Sequence, residues 1–152
     1  MSALKERISN EMKAALLGRH RFRGDVLRSL KAAILNEEVS LVKRDEGLSD
    51  AEIERVIARE VKKRKESAEL YRSNGRAELA DPEEKEAAIL QEFLPKQLSE
   101  DELRAVVAEV VAAMDEVSPQ QMGQVIGLVK SKVGTAGDGA MIAKIVKETL
   151  VK

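Results

Sequence analysis

Across 152 residues, 26 lysines and arginines meet 27 aspartates and glutamates, and the only aromatic side chains are Phe22, Tyr71 and Phe93. With 35% charged residues and many strong helix formers, the composition predicts an all-α protein with an aliphatic core and charged outer faces. The chain has no cysteine and a single histidine, His20, which excludes disulfides, a thiolate nucleophile, a zinc site of the usual kind and a two-histidine acid/base pair.

In chain order, Leu4, Ile8, Met12, Ala15 and Leu16 recur at helical spacing and predict a first helix that stops near Gly18. Arg19-His20-Arg21-Phe22-Arg23-Gly24 reads as a connector. A second helix then carries Leu27, Leu30, Ile34, Leu35, Val39 and Val42 to Gly47. Ser49-Asp50-Ala51-Glu52 is a capping box, in which each side chain accepts from the other residue's backbone N–H, so the third helix starts there and runs to Ser73. Its expected buried stripe is Ile53, Val56, Ile57, Val61, Ala68 and Tyr71.

Asp81-Pro82 predicts the start of a fourth helix, with proline at the first position where its missing donor is harmless, and Pro95 ends it. Its apolar face is Ile89, Leu90, Phe93 and Leu94. A second capping box, Ser99-Glu100-Asp101-Glu102, opens the fifth helix. Ser118-Pro119 opens a sixth through Lys132, and Asp138 caps a seventh from Gly139 to Leu150. The expected organisation is a basic four-helix region over residues 1–97 and a three-helix unit over 98–152. No run approaches the roughly 20 apolar residues of a membrane span, and charges break up Met1 to Leu17, so a soluble, cytoplasmic chain with no membrane partner is expected.

The charge is unevenly spread. Residues 1–76 hold 18 Lys and Arg against 13 Asp and Glu, whereas residues 77–152 hold 8 against 14. A basic front half offers a landing surface for phosphate. Its densest run is Lys62-Lys63-Arg64-Lys65, which on a helix spreads around the whole circumference, so part of it borders the core. The plain alternative is a solvated face paired with Glu60, Glu66 and Glu69. Arg19-His20-Arg21-Phe22-Arg23 is a second cationic cluster, able to grip phosphate and stack a base. Phe22 reads first as a core anchor that staples the start of the helix that follows, and only second as a stacking ring.

In the last third, Met122-Gly123-Gln124-Val125-Ile126-Gly127 sets Gly123 and Gly127 four apart on one helical face. Each glycine costs about 1 kcal/mol relative to alanine inside a helix, so the pair calls for a reason. Tight helix packing is one; close approach of an RNA backbone is the other. Gly134-Thr135-Ala136-Gly137-Asp138-Gly139 leads to a helix N-terminus that favours anions, with Lys130, Lys132 and Lys144 near in sequence, although Asp138 as the cap would itself fill the anion position. Catalytic signals are missing. Glu37-Glu38 and Glu83-Glu84 are adjacent in sequence and point to different helical sides, the serines have no activating base beside them, and no Ser-Ser-Lys amidase arrangement occurs. No cofactor, metal site or catalytic residue is expected.

Several of these stretches together resemble the GatB/YqeY family, whose members are free-standing proteins or the tail of the tRNA-dependent amidotransferase B subunit. They are Met12-Lys13-Ala14-Ala15, the segment 27–34 with Asn36-Glu37, the segment 60–67, Glu92-Phe93-Leu94-Pro95-Lys96-Gln97-Leu98-Ser99, and the glycine-bearing segment 122–139. The chain departs from the family's usual Met-Gly-x-x-Met-Gly and Lys-x-x-Gly-x-Ala-Asp-Gly: Ile126 replaces the second methionine, Gly134 is displaced by one position, and Gly137 stands where alanine is usual. The resemblance implies an accessory module for tRNA or a tRNA-bearing complex, and carries the family label of a carbon–nitrogen ligase using glutamine as amide donor. The kinase-like and glutaminase parts of that machinery are missing, so this chain is not expected to catalyse the ligation alone. RNA contacts are expected from Lys130, Lys132, Lys144 and the Gly123/Gly127 face, extended by Lys62, Lys63, Arg64 and Lys65. The alternative is a protein-interaction adaptor that docks on an amidotransferase or another enzyme through a helical face.

Overall fold

Helix-period apolar spacing governs most of the chain, and the computed structural model, which describes residues 2–151, contains seven α-helices and no strand among them. They are α1 (Ala3–Leu17), α2 (Arg21–Ser40), α3 (Asp50–Ser73), α4 (Ala77–Gln91), α5 (Glu100–Ala112), α6 (Met122–Val133) and α7 (Gly139–Val151). None is long and apolar enough to cross a membrane, and no group of three or more acidic or histidine side chains among the described residues is placed to hold a metal ion.

Contacts divide the chain into two units, Met1–Leu94 and Pro95–Lys152. In the first, α1 packs on α2, α3 and α4 form a helical hairpin, and α2 packs against both arms of it. Ile8, Leu27, Leu30, Ile34, Ile53, Ile57 and Leu90 are its most buried large side chains. Phe93 closes this core, with the Arg7 guanidinium 4.5 Å from its ring centroid. In the second unit α5, α6 and α7 each touch the other two around Leu103, Val107, Val125, Val129, Ile142 and Ile145, a core with no aromatic residue. Residues 97 and 98 belong to it because Leu98 donates its backbone N–H to Ala136 O at 2.8 Å and the Gln97 side chain donates to Thr135 O at 2.8 Å.

Both capping boxes form, at Ser49/Glu52 and Ser99/Glu102. The Asp138 carbonyl accepts the first bond of α7 from the Ile142 N–H, which makes Asp138 the N-cap.

Four expectations are corrected. First, α4 does not start at Asp81-Pro82 but at Ala77, with Pro82 inside it. The extra turn is held by Ala80, which is fully buried, and by the Leu79 and Ala80 N–H groups donating to Arg76 O at 3.0 and 3.2 Å; Arg72 at the end of α3 donates just beyond it, to Asp81 at 2.8 Å and to both oxygens of Glu84 at 2.8 and 2.9 Å. Second, Ser118-Pro119 leads into a short 3-10 turn, Pro119–Gln121, before α6 begins at Met122. Third, Leu35, Val39 and Val42 face outwards rather than into the core, and Tyr71 is exposed as well. The α2 stripe continues from Ile34 to Glu38 instead: this carboxylate, only 2% exposed, accepts from Lys5 Nζ at 2.8 Å and so ties α2 to α1. Fourth, the connector is shorter than it reads, because α2 already begins at Arg21 and Gly24 lies within it.

Helices α1, α2 and α3 end in one device. The residue two past the helix takes a left-handed backbone, its N–H and the next bonding back to the last turn: Arg19 (φ 63°) with His20 N–H to Ala15 O, Val42 (φ 56°) with Lys43 N–H to Glu38 O, and Gly75 (φ 72°) with Arg76 N–H to Tyr71 O. Only the third uses glycine, the residue for which this conformation is free of Cβ strain. At the end of α1 the glycine sits one position early, at Gly18 with φ −83°, and Arg19 carries the left-handed angle.

Candidate nucleic-acid interface

Gly123 and Gly127 lie one helical turn apart on α6, and Lys130, three residues further on, falls on the same strip. A Cβ built at either glycine would meet no atom within 4 Å, so no helix of the unit packs on this strip. The packing explanation for the two glycines therefore fails, and bare backbone is presented outwards. The glycine that does serve packing is Gly24, where an added Cβ would stand 2.5 Å from Leu16 Cδ2 and 2.9 Å from Leu16 Cγ. In sequence it reads as a connector residue; only the crossing of α1 and α2 reveals its role.

Lys130 reaches from α6 to the start of α7, its ammonium 3.6 Å from where a Cβ on Gly139 would be. It makes no ion pair among the described residues, and Lys144, exposed on α7, makes none either. Lys132 is diverted: it points to the opposite side of α6 and pairs with Glu109 of α5 at 2.7 Å. Between α6 and α7, Gly134 takes φ 57°, and Gly137 packs so closely that a Cβ would lie 2.6 Å from Val133 Cγ2. The loop is pinned by its bonds to residues 97 and 98.

In the other unit the run Lys62–Lys65 separates by helical angle. Arg64, whose side chain is 16% exposed, turns towards α4 and pairs with Glu86 at 3.1 Å and Glu60 at 3.4 Å. Lys63 points out and lies 3.6 Å from Glu60. Lys62 and Lys65 are exposed and unpaired among the described residues, although Lys65 shares a shallow cleft with Glu69 and Glu84. The same hairpin accounts for the uneven charge. Residues 1–94 carry 19 Lys and Arg against 19 Asp and Glu, and residues 95–152 carry 7 against 8. The acidic excess of α4 is spent on the basic surplus of α3 through Arg64 and Arg72. That leaves individual side chains, rather than a whole basic half, as the cations open to solvent.

Residues 5–150 match the family model of Yqey-like proteins. This chain belongs to that family. The match spans both units, so the α3–α4 hairpin and the glycine strip of α6 are both parts of a YqeY-like protein. No curated protein matches the chain.

Proposed function

We propose that this YqeY-like protein is an accessory tRNA-binding module that works beside an amidotransferase or another tRNA-bearing complex. The observation that carries the reading is the open Gly123/Gly127 strip with Lys130 on it. Two glycines in one soluble helix lower its stability by about 2 kcal/mol in total and fill no packing role inside the unit. A strip without side chains beside an unpaired ammonium suits the close approach of a phosphodiester backbone. Lys144, Lys62 and Lys65 are further cations free for phosphate, whereas Arg64 and Lys132 are already paired with carboxylates.

The test is an electrophoretic shift of total tRNA across a salt series. Saturable binding that weakens with salt is expected, and Lys130→Glu with Lys144→Glu should lower the slope of log K against log salt by about 1 for each phosphate that is no longer neutralised. Absence of saturable binding in low salt sinks the reading.

A second reading, an adaptor docking on a protein, has one observation in its favour. Leu35 and Val39, one turn apart on α2, are both exposed apolar side chains. Copurification with an amidotransferase that survives ribonuclease and is abolished in Val39→Asp separates it from the RNA reading.

A further inference from the structure

The turn between α1 and α2 holds a cleft lined by Arg19, Arg21, Arg28 and Leu16. Six other arginines of this unit, Arg7, Arg23, Arg59, Arg64, Arg72 and Arg76, sit within 3.5 Å of a carboxylate, and Arg44 and Arg55, which have no ion pair among the described residues, line no shared cleft with another arginine. Arg19 and Arg21 make no ion pair among the described residues. The sole carboxylate within 4 Å of these guanidiniums among the described residues is a loose partner, Asp25, at 3.8 Å from Arg28. Three arginines thus line one concavity with little counter-charge, an arrangement that favours an anionic ligand.

Arg19 is also held there under backbone strain. It carries φ 63° at the end of α1, where Gly18 beside it would take that angle freely were the helix one residue shorter. His20 heads α2 without a side-chain cap bond, and the first turn of α2 has no acidic residue, so no carboxylate of that turn competes for the positive end of the helix.

We infer that this cleft binds a terminal phosphate, the monoester group of a nucleotide or of an RNA 5′ end. Three planar forks supply more donors than a carboxylate can accept, and they match the three oxygens and near-double charge of a phosphomonoester. A backbone diester bears a single charge and suits an open track better than a concave pocket. Leu16 gives the cleft an apolar wall against which a sugar or base can rest. Phe22, 44% exposed in the next turn, is a surface ring and not the core anchor its sequence position allows.

The experiment compares, by fluorescence anisotropy with the full chain, one labelled RNA oligonucleotide bearing a 5′-phosphate and the same oligonucleotide with a 5′-hydroxyl. Adenosine monophosphate and adenosine are compared by calorimetry. Preference for the phosphorylated form of about tenfold or more is expected, as is its loss in the Arg19→Ala, Arg28→Ala double variant. Preference seen with the mononucleotide alone identifies a free nucleotide as the ligand; preference seen with the oligonucleotide identifies an RNA end. Arg19→Gly guards against misfolding as an explanation, because it should melt at higher temperature than the parent while losing the preference. Equal affinity for phosphorylated and unphosphorylated probes, or a preference that survives both variants, overturns the inference. The site stands apart from the tRNA reading: absence of tRNA binding with the phosphate preference intact would sink only that reading, and tRNA binding without the preference would sink only this one.

Discussion

A Cβ at Gly24 has to displace Leu16 at the crossing of α1 and α2, whereas a Cβ at Gly123 or Gly127 enters open space. Alanine is the better helix former at all three positions, so only the neighbours decide the sign of the change. Gly123→Ala and Gly127→Ala should each stabilise the protein by about 1 kcal/mol in urea denaturation, and Gly24→Ala should destabilise it by about 1–2 kcal/mol. A drop in stability at Gly123 or Gly127 would show that the strip is covered. If the RNA reading holds, the same two stabilising changes weaken tRNA binding, a combination that damage to the fold cannot produce. Val42 is the converse case. Its branched side chain is 91% exposed and gains no packing from a left-handed backbone that glycine adopts without strain. Val42→Gly should raise stability by about 1 kcal/mol, read as a higher urea midpoint at unchanged m-value.

At the scale of single helices, starts written as capping boxes are legible and starts held by tertiary contacts are not. Ser49/Glu52 and Ser99/Glu102 contain both partners within four residues. The first turn of α4 buries Ala80 within the folded unit, so Pro82 misleads as a start signal. Arg72→Ala should loosen α4 around Asp81 and Glu84, seen as faster amide exchange there while the amides of α3 around Ile57 stay protected. The caps also set an acid response. The Lys43 ammonium and the Ser49 backbone N–H hold the Glu52 carboxyl down at about 2, below its ordinary 4.5, and the Ser99 backbone N–H lowers Glu102 in the same sense. A carboxyl lowered on folding stabilises the protein fully above its unfolded value and loses that contribution as pH falls through the folded value. Stability should therefore fall between about pH 4.5 and 2. Glu52→Gln should flatten part of that fall; an unchanged pH profile in this variant would exclude the carboxylate as its source.

For the molecule as a whole, charge is balanced within each unit rather than split between them. Linear halves suggest a basic surface, but α4 is folded back on α3, and opposite charges distant in sequence become neighbours. Affinity for a polyanion must then come from a few unpaired side chains. Lys62→Glu with Lys65→Glu should accordingly reduce the salt dependence of tRNA binding, while Arg64→Ala should chiefly lower the melting temperature because it breaks the bonds to Glu86 and Glu60. An Arg64→Ala variant that melts like the parent and binds tRNA less tightly would reverse that assignment.

What the residues determined without help from the fold was local or periodic: an all-α chain, seven helices, both capping boxes, the Asp138 cap, the aliphatic cores and the family motifs. Each of these signals repeats every three or four residues or is complete within a handful of neighbours, so chain order alone exposes it. Tertiary structure decided which apolar stripe of α2 is buried, which glycines are packed, which cations are already neutralised, and that Arg19, Arg21 and Arg28 share one cleft. Those outcomes depend on which partner a helix face meets. A partner tens of residues away leaves no mark on the spacing of the residues it covers.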